Sequence, residues 1–321
     1  MLRTVYISTL ALLLFSACSR ERESAAGGED EPIPSPTKTV PVAFAAENSD
    51  ISVQVFGEKA GNFVYVKTLD GGWDADGRLS VQLPVGKYKF LFLKSPFRNT
   101  EPVAVPQAGT TGFDDFRIAA KSDPDNPGYL LPADEVYFQD PTENPDSVYT
   151  LPASDTIRCK LKRAVGQIVL LLKRGYYDGS AYRELPYAQD SDILQNIGRI
   201  RMEIAGAGNR LGLAGSEGTG SIRHDFPEPT AENITDDGFA LLTGPFVFPP
   251  QAGQNLTVST TLTPKTGSGY PVLNNEITAP LGRNMRLEIT LWLTVSHQFI
   301  GITTETAPIT ETTEGDTGPW E

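Results

Sequence analysis

Hydrophobic and polar residues alternate one by one along much of this chain, which is the pattern of β-strands that bury one face. The clearest example has six apolar residues in alternation: Met285, Leu287, Ile289, Leu291, Leu293 and Val295. Shorter runs of the same kind occur at residues 51–55, 79–83, 88–92, 200–204 and 256–262. Helical spacing is nearly absent, so the pattern predicts an all-β protein.

Glycine and proline separate the predicted strands, with 30 Gly and 25 Pro in 321 residues. Many short strands with such turns are typical of antiparallel β-sandwiches and not of parallel sheets. An irregular stretch that contains several prolines, residues 122–152, lies between two groups of strands. We therefore predict two antiparallel β-sandwich domains in tandem, at residues 39–155 and 156–300.

The two ends of the chain differ from the predicted sandwiches. Residues 1–17 combine an early Arg3 with a short apolar core and small residues, which is typical of a secretory signal. Residues 18–38 are charged and then rich in glycine and proline, which predicts a disordered tether. Residues 301–321 are rich in Thr and Glu. We expect a frayed acidic tail there, and the alternative is a segment that pairs with a partner.

The signal ends in Phe15-Ser16-Ala17-Cys18, which resembles the lipobox of bacterial lipoproteins. The resemblance implies that Cys18 becomes an acylated N-terminus, carrying palmitate and anchoring the protein in the outer membrane. Buried acyl chains contribute about 0.8 kcal/mol per CH₂, so more than one chain gives a stable anchor. The alternative is an ordinary signal peptide with a chance cysteine.

Charge and motif content exclude several classes of function. The net charge of −13 disfavours binding to nucleic acid. The HExxH, CxxC and G-x-S-x-G motifs are absent from the sequence. We interpret His224 and His297 as surface residues, Cys159 as a small buried residue, and the loops at Asp74 and Asp123 as turns. The sequence therefore predicts no catalytic residue, no metal site and no cofactor.

Two tripeptides, Asp146-Ser147-Val148 and Asp155-Thr156-Ile157, resemble the Asp-Ser/Thr-aliphatic sites of protein O-glycosylation in Bacteroidetes. The resemblance implies sugars on Ser147 and Thr156. Both lie in or beside the predicted interdomain region, where an exposed sugar would fit.

Four features, in this order, resemble the fimbrillin and fimbrial-anchor (FimB-like) lipoproteins of Bacteroidetes. The first is the lipobox and tether, followed by strand patterns at residues 40–45 and 51–56. The second is Leu83-Pro84-Val85-Gly86-Lys87-Tyr88, which is similar to the L-P-x-G-x-Y hairpin of that family. The third is LKRAVGQI at residues 161–168, which is similar to the L-x-R-x-V-A-K-I strand, with Gly-Gln in place of Ala-Lys. The fourth is the long terminal strand at residues 284–295.

The resemblance implies two transthyretin-like β-sandwiches and assembly with other fimbrial subunits by β-strand addition at the cell surface. In strand addition, main-chain hydrogen bonds give affinity, and alternate side chains in pockets give specificity. The residues that we predict to take part come from the first strand and from the terminal strand: Val40, Val42, Phe44, Leu287, Ile289, Leu291, Leu293 and Val295.

Positions of basic residues distinguish an anchor from a shaft subunit. In the family, shaft subunits lose an N-terminal strand to a protease that cuts after Arg or Lys. This chain has no Arg or Lys from Thr39 to Glu58, so a cut at Lys38 leaves the first strand in place. This favours the anchor that tethers a fibre and limits its length. The alternatives are a shaft subunit, or a glycan-binding lipoprotein with Trp292 as a stacking platform, although we favour packing of Trp292 against the neighbouring domain.

Overall fold

The computed structural model describes residues 38–46, 51–139, 148–152, 156–185, 194, 196–296 and 298–309. The described residues from Lys38 onward belong to one compact unit. No helix long and apolar enough to cross a membrane is found among them. The predicted signal peptide, tether, lipid site at Cys18 and glycosylation site at Ser147 lie outside the described residues, as do His297 and the tail beyond Ile309.

The described chain contains strands and two short 3₁₀ helices, at Phe113–Asp115 and Ala231–Asn233, but no α-helix. This confirms the predicted all-β class. The first eleven strands are β1 Thr39–Ala46, β2 Ser52–Lys59, β3 Asn62–Asp70, β4 Arg78–Pro84, β5 Gly86–Lys94, β6 Thr100–Pro102, β7 Ile118–Ala120, β8 Tyr137–Gln139, β9 Tyr149–Leu151, β10 Ile157–Cys159 and β11 Leu161–Arg163. The others are β12 Gly166–Tyr177, β13 Tyr182–Glu184, β14 Ile197–Ala207, β15 Arg210–Leu211, β16 Ser216–Glu217, β17 Gly220–Asp225, β18 Ala240–Val247, β19 Leu256–Pro264, β20 Leu273–Ala279, β21 Met285–Leu293 and β22 Phe299–Pro308.

Two N-terminal sheets share one hydrophobic core. Their strand orders are β10-β1-β4 and β11-β8-β5-β2-β3, with β9 paired to β5. Alternate residues of both sheets point into this core, as the period-two pattern predicts: Val40, Val42, Phe44, Val53, Val55, Leu79, Leu83, Phe90, Phe92, Ile157 and Cys159 are among its members. Neighbouring strands are antiparallel except β1 and β10, which run parallel.

Two C-terminal sheets share a second core. Their orders are β13-β12-β21-β22, with β18 also paired to β12, and β17-β14-β19-β20. The core takes alternate residues from both sheets, among them Ile168, Leu170, Leu172, Ile200, Met202, Ile204, Val258, Leu262, Leu287, Ile289 and Leu291. Here β12 and β21 run parallel and all other pairs are antiparallel. The prediction of antiparallel sheets therefore has an exception in each half, because alternation along a strand does not encode the direction of its neighbour.

A third core joins the two halves. It combines side chains of the N-terminal sheets and the following loops with residues from beyond Val165: Phe56, Leu91, Leu93, Phe113, Phe116, Ile118, Val136, Phe138, Leu211 and Phe248 are among its members. A small sheet of order β16-β15-β7-β6 also pairs strands from both halves. The two sandwiches are therefore packed together through a shared apolar cluster.

The structure differs from the predicted boundaries at two places. Strands β10 and β11 fall within the predicted second domain, yet they pair with β1 and β8 of the N-terminal sheets. A change in composition marks an irregular stretch but does not show which sheet the next short strand joins. In the predicted tail, residues 301–308 belong to β22, so the expectation of a frayed terminus is wrong for them.

Candidate strand-assembly site

The first strand, β1, is held in the N-terminal core by the three side chains that alternation predicts. Val40, Val42 and Phe44 have 7%, 2% and 0% of their surface exposed. The Phe44 ring packs edge-to-face on Phe90 and Phe92, with ring centroids 4.9 and 5.8 Å apart. These contacts place β1 as an integral strand of the sandwich, with its inward set oriented as predicted.

The two edges of β1 differ. Along one edge, β4 pairs with the strand from Thr39 to Ala45. On the other edge, β10 pairs only with residues 44–46, and no described strand pairs with residues 39–43. The Val85 amide donates to Lys38 O, and the Ala46 amide donates to Gly77 O, so even-numbered amides face β4 and odd-numbered amides face the other edge.

Pro41 lies in the unpaired part of β1 and has no amide hydrogen. By the alternation of amides its nitrogen faces the edge away from β4, where a missing donor costs no ladder hydrogen bond. Proline at such a position also weakens pairing with another chain. The open edge of β1 is therefore a poor acceptor for an added strand.

The LPVGKY sequence forms a tight connection between β4 and β5. Leu83 is fully buried, and the Tyr88 hydroxyl donates to Pro84 O at 3.0 Å. Burial raises the pKa of the Tyr88 hydroxyl. The expected hairpin is not formed, because β4 pairs with β1 and β5 pairs with β2, so the connection joins two different sheets. The Val85 amide in the middle of this connection donates to Lys38 O, which also fixes the beginning of β1.

The predicted terminal strand is an interior strand of the C-terminal sheet. Leu287, Ile289, Leu291 and Leu293 are buried in the core as predicted. The prediction for Val295 is wrong, because β21 ends at Leu293 and the Val295 side chain is 65% exposed. A turn follows, closed by the Thr294 amide, which donates to Gln298 O. Alternation of residue types thus continues past the end of the strand.

Both edges of β21 are occupied, by β12 on one side and by β22 on the other. The strand therefore has no edge to offer a partner. The edge belongs to β22, which pairs only with β21 among the described strands. The expected frayed tail is instead an edge strand here, and the signal for it in the sequence is the favourable β-propensity of the Thr residues and Ile302.

Arg163 of the LKRAVGQI sequence forms a polar network between the N-terminal sheets and the beginning of β21. Its guanidinium donates to Glu135 Oε1 at 2.8 Å, to the Tyr137 hydroxyl oxygen at 2.9 Å and to Asn284 Oδ1 at 3.1 Å. Burial raises the pKa of the Tyr137 hydroxyl, and its hydrogen bond to Glu135 raises it further. Because Arg163 is itself buried, these bonds offset its desolvation.

The structure also shows the surroundings of the other residues that the sequence singled out. Cys159 is buried in the N-terminal core, and Thr156 is exposed beside β10. Asp74 and Asp123 accept backbone amides within their own turns, as turn chemistry predicts. The described residues contain no group of three His, Cys, Asp or Glu side chains that could hold a metal ion. His224, expected at the surface, is half-buried on β17 opposite Met202.

Comparison with known proteins supports the fold. No family model and no curated protein matches the chain. A Bacteroides ovatus protein described as a putative adhesin has a TM-score of 0.51 at 14% identity, covering 83% of this chain and 93% of that one. A Bacteroides thetaiotaomicron protein described as a putative polysaccharide binding protein has a TM-score of 0.50 at 13% identity, covering 84% and 98%. These likenesses show a shared fold.

The fimbrial anchor protein Mfa2 from Porphyromonas gingivalis is also similar, with a TM-score of 0.47 at 13% identity over 84% of this chain and 98% of that one. A likeness at this level does not bear on role. The predicted all-β sandwich fold is thus the fold that this chain shares with the two Bacteroides proteins.

Proposed function

We propose that this chain is a non-enzymatic fimbrial component at the cell surface, attached to the outer membrane through a lipid on Cys18, and that it is the anchor of the fibre. The fold that it shares with a protein described as a putative adhesin supports a surface role. The lipobox-like sequence before Cys18 supports the attachment.

One observation favours the anchor over a shaft subunit. β1 fills its place in the N-terminal sandwich, and Val40, Val42 and Phe44 are buried in the core. The basic residues that flank it are Lys38, before the strand begins, and Lys59, at the end of β2. A protease that cuts after Arg or Lys can therefore detach the tether but cannot remove β1 alone. A subunit that keeps this strand opens no groove there and ends a chain of strand exchanges.

The partner subunit in this proposal pairs with the outer edge of β22. This strand has ten residues, which makes it the longest edge strand in the described part of the protein. Its residues from Thr303 to Thr306 are exposed and polar. Strand addition at such an edge gains main-chain hydrogen bonds along its whole length.

Mass-spectrometric mapping of the mature N-terminus tests the anchor assignment. It is carried out separately on outer membranes and on fibres sheared from cells. We expect an acylated chain that begins at Cys18, is retained in the membrane and still contains residues 40–45. A chain in sheared fibres that begins beyond residue 46 would identify a shaft subunit and contradict the proposal. Deletion of the gene should release or lengthen fibres, and unchanged fibres would count against an anchor.

A further inference from the structure

The outer face of the C-terminal β12–β21–β22 sheet carries a cluster of aromatic rings. The Tyr182 and Trp292 rings lie nearly parallel, with 5.6 Å between centroids and 12° between planes. The Tyr177 ring lies 5.2 Å from that of Tyr182. The side chains of Tyr182 and Trp292 are half-buried, and that of Tyr177 is 55% exposed. We call these three residues the aromatic platform.

Two glycines allow the platform rings to lie against the sheet. Gly301 is paired with Trp292 on the neighbouring strand, and a Cβ added to Gly301 would collide with the Tyr182 hydroxyl. A Cβ added to Gly175 would come within 2.7 Å of Trp292 Cε3. Since no side chain stands between the rings and the backbone, the platform is a shallow surface and not a raised ridge.

Hydrogen bonds hold the platform rings in place. The Tyr182 hydroxyl donates to Ile300 O at 3.1 Å, and Trp292 Nε1 donates to Thr303 Oγ1 at 3.0 Å. A surface that is fixed before a ligand arrives loses little conformational freedom on binding, which favours affinity. The contacts of Trp292 with Tyr182, Lys173 and Thr303 all lie within its own sheet. These contacts, and not the expected packing against a neighbouring domain, hold the ring.

Polar groups surround the aromatic platform. The Lys173 ammonium lies 4.4 Å from the Phe239 ring centroid and 6.0 Å from that of Trp292, and it forms an ion pair of 3.2 Å with Glu184. The Thr303 hydroxyl lies at the other side of Trp292. The edge of the platform therefore carries a positive group, a negative group and a hydroxyl, which can donate or accept hydrogen bonds around the apolar centre.

This combination matches the chemistry of a sugar ring. One face of a pyranose presents C–H groups, which are attracted to the negative face of an aromatic ring, while its hydroxyls require polar partners at the edge. A protein partner fits less well, because a stable interface buries about 800 Å² on each side. An aromatic side chain has a total surface of about 150–250 Å² to bury, and two of the three platform side chains are already half-buried. The platform alone is therefore too small for a stable protein interface.

The net charge of the chain indicates whether a neutral or a charged sugar would bind to the platform. With a net charge of −13, the protein repels polyanions, and Lys173 is already paired with Glu184. We propose that the aromatic platform binds a neutral saccharide, with a pyranose ring stacked on Trp292, Tyr182 or Tyr177 and its hydroxyls bonded to the Lys173–Glu184 pair. This site would act independently of strand addition at β22.

Affinity electrophoresis of the full chain in gels containing dextran, yeast mannan, xylan or arabinogalactan tests the proposal, with polygalacturonate as the charged control. We expect at least one neutral polysaccharide to retard the protein. Tyr177→Ala and Trp292→Ala should each weaken retardation by about tenfold or more, as is typical when a ring at the centre of a contact is truncated. Polygalacturonate should have no effect.

Tyr176→Ala provides the matched control. Tyr176 is 50% exposed but adjacent residues of a strand point to opposite faces, so it lies on the other side of β12 from Tyr177. Its loss should leave binding unchanged. Because Tyr177 is largely exposed, its truncation tests the platform even if Trp292→Ala lowers stability.

Three outcomes would overturn the proposal: no retardation by any of the four neutral polysaccharides, equal losses in Tyr176→Ala and Tyr177→Ala, or a dimer in sedimentation that Tyr177→Ala dissociates. The last would show that a second copy of the chain covers the platform. None of these results depends on fibre assembly, so failure here is distinguishable from failure of the anchor proposal.

Discussion

His224 on β17 shows how one residue can couple stability to pH. Its ring packs edge-to-face on Phe226 at 4.7 Å between centroids, and its Nε2 has no hydrogen-bond partner among the described residues. Burial disfavours the charged imidazolium and lowers the pKa of His224, and the nearby Asp225 carboxylate acts in the opposite direction. The folded protein therefore binds a proton at His224 less readily than the unfolded chain.

Stability should fall as the pH decreases through the unfolded His pKa of about 6.5 towards the lower pKa of the folded state. Above that window His224 is neutral in both states and contributes no pH dependence. Calorimetric melting temperatures between pH 8 and pH 5 check this, with His224→Gln as the comparison. The difference between the two proteins should grow at acidic pH. Parallel curves would show that His224 is not the titrating group.

At the scale of an element, the two edges of β22 use different amides: one set pairs within the sheet, and the other is open to a partner. The Ile309 amide donates to Asn284 O, so odd-numbered amides of β22 face β21 and even-numbered amides face the open edge. Thr304 and Glu305 are both exposed neighbours on this strand. A proline at one or the other removes a donor from one edge only.

Thr304→Pro should leave the fold intact and weaken attachment of the fibre, because it removes an amide that faces the open edge. Glu305→Pro should destabilise the sheet, because proline removes a ladder hydrogen bond to β21, and such a bond contributes about 0.5–1.5 kcal/mol. Urea unfolding measures stability, and fibre release from cells measures attachment. Normal attachment in a folded Thr304→Pro protein would exclude the β22 edge as the docking site.

At the scale of the whole molecule, the third core predicts that the two sandwiches unfold together. Phe248 is 1% exposed and packs in the same cluster as Phe56, Phe113 and Phe138 of the N-terminal part. Loss of such a ring typically costs about 3–5 kcal/mol. Phe248→Ala should therefore destabilise both halves, although the residue belongs to the C-terminal part of the chain.

Scanning calorimetry checks this expectation. The protein should give a single transition, and Phe248→Ala should either shift the whole transition to lower temperature or split it in two. Val105→Ala is the control, because Val105 is 84% exposed and its truncation should leave the melting temperature unchanged. Two separate transitions in the unaltered protein would show that the shared cluster does not couple the sandwiches.

Much of the fold could be read from the sequence because alternation is a local property. The inward sets of β1 and β21, the turn at LPVGKY and the all-β class each follow from neighbouring residues, whereas the pairing of β4 and β5 in a hairpin that the turn suggested does not occur. Less of the candidate site could be predicted from the sequence. Val295 continues the alternating pattern into a turn, and β22 looked like a polar tail, because Thr and Glu on an edge strand carry little hydrophobic signal.

The sequence by itself determined which residues of each strand face a core, the absence of Arg and Lys from Thr39 to Glu58, and the acidic charge of the chain. Only the tertiary structure decided that β10 lies beside β1, that β12 and β21 run parallel, and that Tyr182 stacks on Trp292. The reason is physical: facing depends on a side chain's own position in a strand, whereas neighbours far apart in sequence are chosen by how all the strands pack together.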